Sequence, residues 1–187
     1  MLSSELDAKR LEILKEIMPS GRRFALLGGG GGSTTEVPAR VQAIADVAHA
    51  LDLELQTVDI RLPADLAPAF ASLRAGGAAA INVLSSPILF GSREELGRLS
   101  LTYKLPAICE WREMAEAGCV ASYGYRLSEG YAMLAALTDK MLKGAQPGET
   151  PAQQPTKFEL VINRKVARAI GIEIPQLLLA RADEVIE

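Results

Sequence analysis

Little in this chain is suited to metal or acid–base chemistry. It has one histidine, His49, and two cysteines, Cys109 and Cys119. The cysteines are not spaced as CxxC and no histidine lies near them, so no metal site is expected. They read as two small buried thiols rather than as a disulfide. A basic excess is also lacking: 20 Lys and Arg stand against 23 Asp and Glu, for a net charge of −3. With no long basic run, nucleic acid is not an expected partner. No apolar stretch reaches the roughly 20 uncharged residues of a membrane span. The first residues, "MLSSELDAKRLEILKEIMP", lack a basic start followed by a clean apolar block, so as written the chain shows no signal peptide and reads as cytoplasmic.

What is present is ordinary core-forming material. Hydrophobic residues make up 49% and charged residues 23% of 187 residues, which suits one domain with or without extensions. Strand and helix patterns alternate. Ser4 and Asp7 read as the capping box of a first helix, with Leu11, Leu14 and Met18 on one face and Pro19-Ser20-Gly21 as its stop. Short apolar runs at 23–28, 53–60, 78–84, 106–111 and 119–124 read as strands. Helical patterns separate them, and a long one ends at Gly144. Continuous apolar strands alternating with helices predict an α/β fold, a parallel sheet in a three-layer lobe. Residues 145–157 change character to a Pro/Gln/Gly linker. The tail beyond reads as a strand, a short helix, a proline stop and a final short helix, with Asp183 and Glu184 on a solvated helix face.

The loudest motif is "LLGGGGGSTTE" at 26–36. A P-loop would need a lysine before the hydroxyl residue, and Ser33 and Thr34 follow Gly32 directly. A dinucleotide fingerprint would need glycine or alanine at the place of Ser33, and Asp59 lies too far downstream for its acidic partner. The run reads instead as a strand-to-helix loop whose glycines let a ligand approach the backbone. No catalytic set emerges. His49 sits among alanines in a helix. Glu110 and Glu113 flank Arg112, which reads as a local ion pair.

Polar or aromatic residues recur just after each strand. In a parallel sheet those ends share one edge, where ligands bind. The candidate lining residues are Gly29, Ser33, Thr34, Ser85, Ser86, Trp111, Tyr123 and Tyr125. Backbone amides of the glycine loop and the hydroxyls would hold polar groups, and the aromatics would stack.

Several segments carry a resemblance: "GCVASYG", "QPTKFELVIN", the A-x-x-x-GI-x-IP pattern from Ala167 to Pro175, and "LLARADEVIE". With "LDAKRLEILKEIMP" they resemble ABC-transporter substrate-binding proteins, more narrowly the tryptophan/tyrosine transport system type. The resemblance covers nearly the whole chain. It implies the type I periplasmic-binding fold, in which two lobes clamp a small ligand and a membrane permease reads the closed form. It divides the chain into a helix at 1–22 resembling the end of a first lobe largely absent here, a ligand-binding second lobe at 23–144, and a linker and tail at 145–187. Where the family usually carries an Asn-Pro-type loop, this chain has Gly28–Gly32.

The resemblance therefore implies a solute-binding component of an ABC importer, or its isolated ligand-binding lobe. It would bind a small molecule such as an aromatic amino acid, without chemistry and without a cofactor. Implied partners are the ligand, the ABC permease in the full-length context, and a second copy of the isolated chain as a dimer. By resemblance the location is periplasmic. The alternatives are a nucleotide- or cofactor-binding α/β enzyme of the cytoplasm, or a stand-alone sensor or interaction domain.

Overall fold

The computed structural model describes residues 2–29, 37–147 and 155–187. Helix α1 (Leu2–Ile17) leads into β1 (Arg23–Gly29), α2 (Val37–Ala50), β2 (Glu54–Ile60), α3 (Leu66–Ala75) and β3 (Ala80–Val83). Then come α4 (Pro87–Gly91), α5 (Arg93–Tyr103), β4 (Ala107–Cys109), α6 (Arg112–Ala117), β5 (Ala121–Gly124) and α7 (Leu127–Leu142). The chain closes with β6 (Glu159–Asn163), α8 (Arg164–Ile170), α9 (Gln176–Arg181) and β7 (Glu184–Ile186).

The strands form one sheet in the order β2-β1-β3-β4-β5-β6-β7. It is parallel except at β5 against β6, where Gly124 stands opposite Glu159 and Ala121 opposite Ile162. Its two faces bury two cores, and β1 shows why the strands read as continuous apolar runs. Phe24 and Leu26 point to one core, with Leu11, Leu14, Ile162 and Leu178. Ala25 and Leu27 point to the other, with Phe70, Leu73, Leu96 and Met114. A strand covered on both sides has no polar side to alternate with.

Helix α1, which the resemblance associates with a preceding lobe, packs on this sheet. Leu11, Ile13, Leu14 and Ile17 are buried in the first core. Ser4 is not its cap, because the helix already runs from Leu2. Asp7 also lies inside the helix. It forms a fully buried ion pair with Arg10. Arg10 Nη1 also donates to Tyr123 O at 2.9 Å, and Asn82 Nδ2 donates to Asp7 O at 2.9 Å. These bonds pin the start of α1 to β3 and β5.

Two further expectations are corrected. Cys109 and Cys119 form a disulfide, with their Cα atoms 6.4 Å apart. One ends β4 and the other precedes β5, and the crossover through α6 brings the two neighbouring strands' cysteines together. The short helix expected after the proline stop is α9, but Asp183 and Glu184 are not on it; the chain goes on into a strand, where Ile162 pairs with Val185 and Asn163 with Ile186. Asp183 is held by that pairing, since its Oδ2 accepts from Leu160 N at 2.8 Å.

Helix α7 differs from the rest. None of its residues is buried, and Tyr131, Leu134 and Leu142 are 68%, 58% and 83% exposed.

Candidate functional site

The ends of β1, β3, β4 and β5 share one edge of the sheet, as parallel strands require. Because β6 runs the other way and β7 runs parallel to β6, the starts of those two strands lie at the same edge. The chain also leaves for α7 and returns from it here, between Gly124 and Glu159.

Gly29 ends β1 beside Ile60. A Cβ on it would stand 2.8 Å from Ser86 Oγ and 3.1 Å from Leu89 Cγ, so the absence of a side chain is what lets the β3 exit close over it. Ser85 is half-buried and Ser86 is buried, with its Oγ lacking any hydrogen-bond partner among the described residues. Ser33 and Thr34 lie outside the described residues.

Trp111 follows β4 and is half-buried. Its ring meets Phe90 edge-on, with centroids 5.1 Å apart, and the Arg93 guanidinium lies 5.1 Å over the Phe90 ring. The indole Nε1 is buried, with the Tyr125 hydroxyl as its polar neighbour. Tyr123 faces the other way. It packs on the core beneath α1 and lies 6.3 Å from Phe158, while Trp111 packs on the core beneath α3 and α5. The three aromatics therefore do not make one continuous wall. Tyr125 sits nearer Trp111. Burial raises the pKa of its phenol and the charge of Glu110 adds to the rise, with a hydrogen bond from Trp111 acting the other way. With Gly130, Met133, Leu134, Leu137 and Pro155 it lines a cavity of about 290 Å³ under α7.

Glu110 is the residue that sequence reasoning placed wrongly. Arg112 does not pair with it or with Glu113. Arg112 begins α6 and bonds Glu116 one turn on, at 2.9 Å, and Glu184 of β7 at 2.6 Å. Glu110 is instead 6% exposed, with Oε2 buried and unpartnered. Phe90 and Phe158 also join the edge; both adjoin elements whose neighbours are set by topology, not by sequence distance. His49 is exposed near the end of α2. Among the described residues no group of His, Cys, Asp and Glu could hold a metal ion, and no helix is long and apolar enough to cross a membrane.

Similar solved structures share this architecture. The ABC domain from Streptococcus pneumonia, in complex with L-Trp, is 22% identical, with a TM-score of 0.86 over 97% of this chain and 60% of that one. A conserved domain protein from Vibrio cholerae is 23% identical, with a TM-score of 0.86 over 96% of this chain and 60% of that one. The ligand-free, open form of a substrate binding protein with adhesive properties from Clostridium difficile is 18% identical, with a TM-score of 0.67 over 95% and 59%. At such identities the likeness is one of fold, the α/β lobe of periplasmic binding proteins. This chain spans about 60% of the length of these structures. No curated protein matches it. The family model for ABC transporter substrate binding proteins, which bind substrate without transforming it, matches residues 3–186, and the chain belongs to that family.

Proposed function

We propose that this lobe holds a small molecule, such as an aromatic amino acid, against the edge formed by the ends of β1, β3, β4 and β5, as part of a solute-binding protein that serves an ABC permease. One observation carries the reading: Ser86 Oγ and Glu110 Oε2 are buried there with no hydrogen-bond partner among the described residues. Buried polar groups are normally paired, so two orphans at a ligand edge call for an external partner. The Phe90–Trp111 pair offers an aromatic ring a surface to stack on. Gly29, Ser33, Thr34, Ser85, Ser86, Trp111 and Tyr125 are the proposed lining residues, Trp111 foremost, with Tyr123 set apart beside Phe158 on the other face of the sheet.

The L-Trp in the Streptococcus pneumonia structure makes tryptophan the first ligand to try. Calorimetric titration with L-tryptophan should give a saturable signal that Trp111→Ala weakens at least about tenfold, as loss of a stacking ring does. Equal affinity of the variant removes Trp111 from the site.

The disulfide supports a place outside the cytoplasm, where such bonds persist. The exposed apolar side of α7 supports contact with a further layer of protein, either a second lobe or, in the isolated chain, a second copy. Light scattering at micromolar concentration tests the latter: a dimer is expected, and a clean monomer counts against it.

A further inference from the structure

Glu110 is held where it is by the backbone. A Cβ on Gly124 would stand 2.3 Å from Glu110 O and 3.0 Å from its Cγ, so β5 makes room for this residue by having no side chain there. The carboxylate is nevertheless left without a counter-charge. Nearby guanidinium groups are engaged elsewhere: Arg112 with Glu116 and Glu184, Arg126 with Glu159 at 2.6 Å, and Arg93 over the Phe90 ring. Among the described residues nothing donates to Glu110 Oε2. A buried acceptor with nothing to accept from is costly unless something else completes it.

Its surroundings define what that something is. Ser86 Oγ, which is neutral, is also unpartnered among the described residues, and Trp111 Nε1 is turned to the Tyr125 hydroxyl. The Phe90–Trp111 pair supplies an aromatic surface. Tyr125 lies close enough for the Glu110 charge to disfavour ionisation of its phenol, after burial itself. The edge thus presents a carboxylate oxygen with no donor beside two aromatic rings, one of them under the Arg93 guanidinium.

We propose that Glu110 binds the positively charged group of the ligand, so that the site accepts an aromatic amine, free or as part of a zwitterion, and rejects the corresponding plain carboxylic acid. This rests on the ligand-edge reading above, and it adds a residue and a charge requirement to it.

The test uses the whole chain with its glutamate side-chain carboxyls labelled with ¹³C, Glu110→Gln identifying the Glu110 resonance by its loss. Tryptamine, indole-3-propionate and ethylammonium are titrated in separately. The expected result is a saturable shift of the Glu110 resonance with tryptamine, with indole-3-propionate binding at least tenfold more weakly. Glu110→Gln should abolish that preference, read by calorimetry. Equal binding of the two indoles, or a preference that survives Glu110→Gln, overturns the proposal. If neither indole binds, the aromatic-ligand reading falls, and ethylammonium decides Glu110 separately. A shift at Glu110 greater than sodium causes at equal concentration supports a cation subsite, and silence overturns it.

Discussion

At the scale of single residues, the edge depends on what is missing as much as on what is there. Gly124 and Gly29 both leave room for a neighbour, but the neighbours differ. At Gly124 the obstacle to a side chain is the Glu110 carbonyl, which cannot step aside without moving β4. At Gly29 the nearest obstacle is a serine hydroxyl, which can rotate. Gly124→Ala should therefore cost about 2–3 kcal/mol by overpacking, and Gly29→Ala clearly less, in urea unfolding midpoints. The buried Asp7–Arg10 pair makes a second prediction. Arg10→Met removes the guanidinium that serves both Asp7 and Tyr123 O, and should cost roughly 3–5 kcal/mol, as breaking one side of a buried pair does. Changing Asp7→Leu with it should recover much of that. Neither Asp7 nor Glu110 was legible in the sequence. Asp7 sits three residues after Ser4, which imitates a capping box, and Glu110 sits beside Arg112, which imitates an ion pair. In both cases the true neighbours lie on other elements: β3 and β5 for the Asp7–Arg10 pair, β5 for Glu110. Sequence adjacency says least where a strand turns into a helix, because consecutive side chains diverge there.

At the scale of elements, legibility followed length and burial. The strands β1 and β3 to β5 could be read because each is a short, largely apolar run bounded by turn residues, and β2 because its apolar residues alternate with polar ones. Strand β7 could not, being Glu184-Val185-Ile186 among charges, and it is a strand only because β6 offers it a partner. Its end is fastened by Glu187, whose carboxyl accepts from Arg164 and Arg168. The hydrogen bond from Arg164 is the main cause that lowers the Glu187 pKa below its ordinary 4.5. A lowered carboxylate pKa adds stability above the unfolded value, and that contribution is lost as pH falls through the folded one. Thermal unfolding from pH 6 down to pH 3 should thus show a smaller decline for Glu187→Gln than for the unchanged chain. The disulfide was missed for the opposite reason: ten residues and a helix separate its cysteines, and only the side-by-side placement of β4 and β5 joins them. Ellman titration of the denatured, unreduced chain should find no free thiol. Converting both cysteines to serine should lower stability by roughly 3 kcal/mol, the loop-closure value for a ring of this size.

At the scale of the whole molecule, the sheet is closed on both faces and one helix is left over. The apolar pattern of α7 was legible, but a pattern does not say which molecule covers it. No residue of α7 is buried, and a helix of this length is marginal by itself in water. At dilutions where the dimer has dissociated, amide exchange should therefore be fast throughout α7 and slow in β1 and β3, by a factor of about 100 or more. Uniform protection would mean that something covers the helix in solution.

The antiparallel register of β5 and β6 has its own consequence. With Gly124 opposite Glu159, the two strands are already the arms of a hairpin, and everything from 125 to 158 is its loop. A β-turn of two residues can join such arms. A shortened chain in which Asn-Gly replaces 125–158 should keep both cores and the sheet order while losing α7. The protein would then be divisible at a point where topology, not sequence, has marked the seam: a compact sheet domain on one side, and a detachable arm on the other.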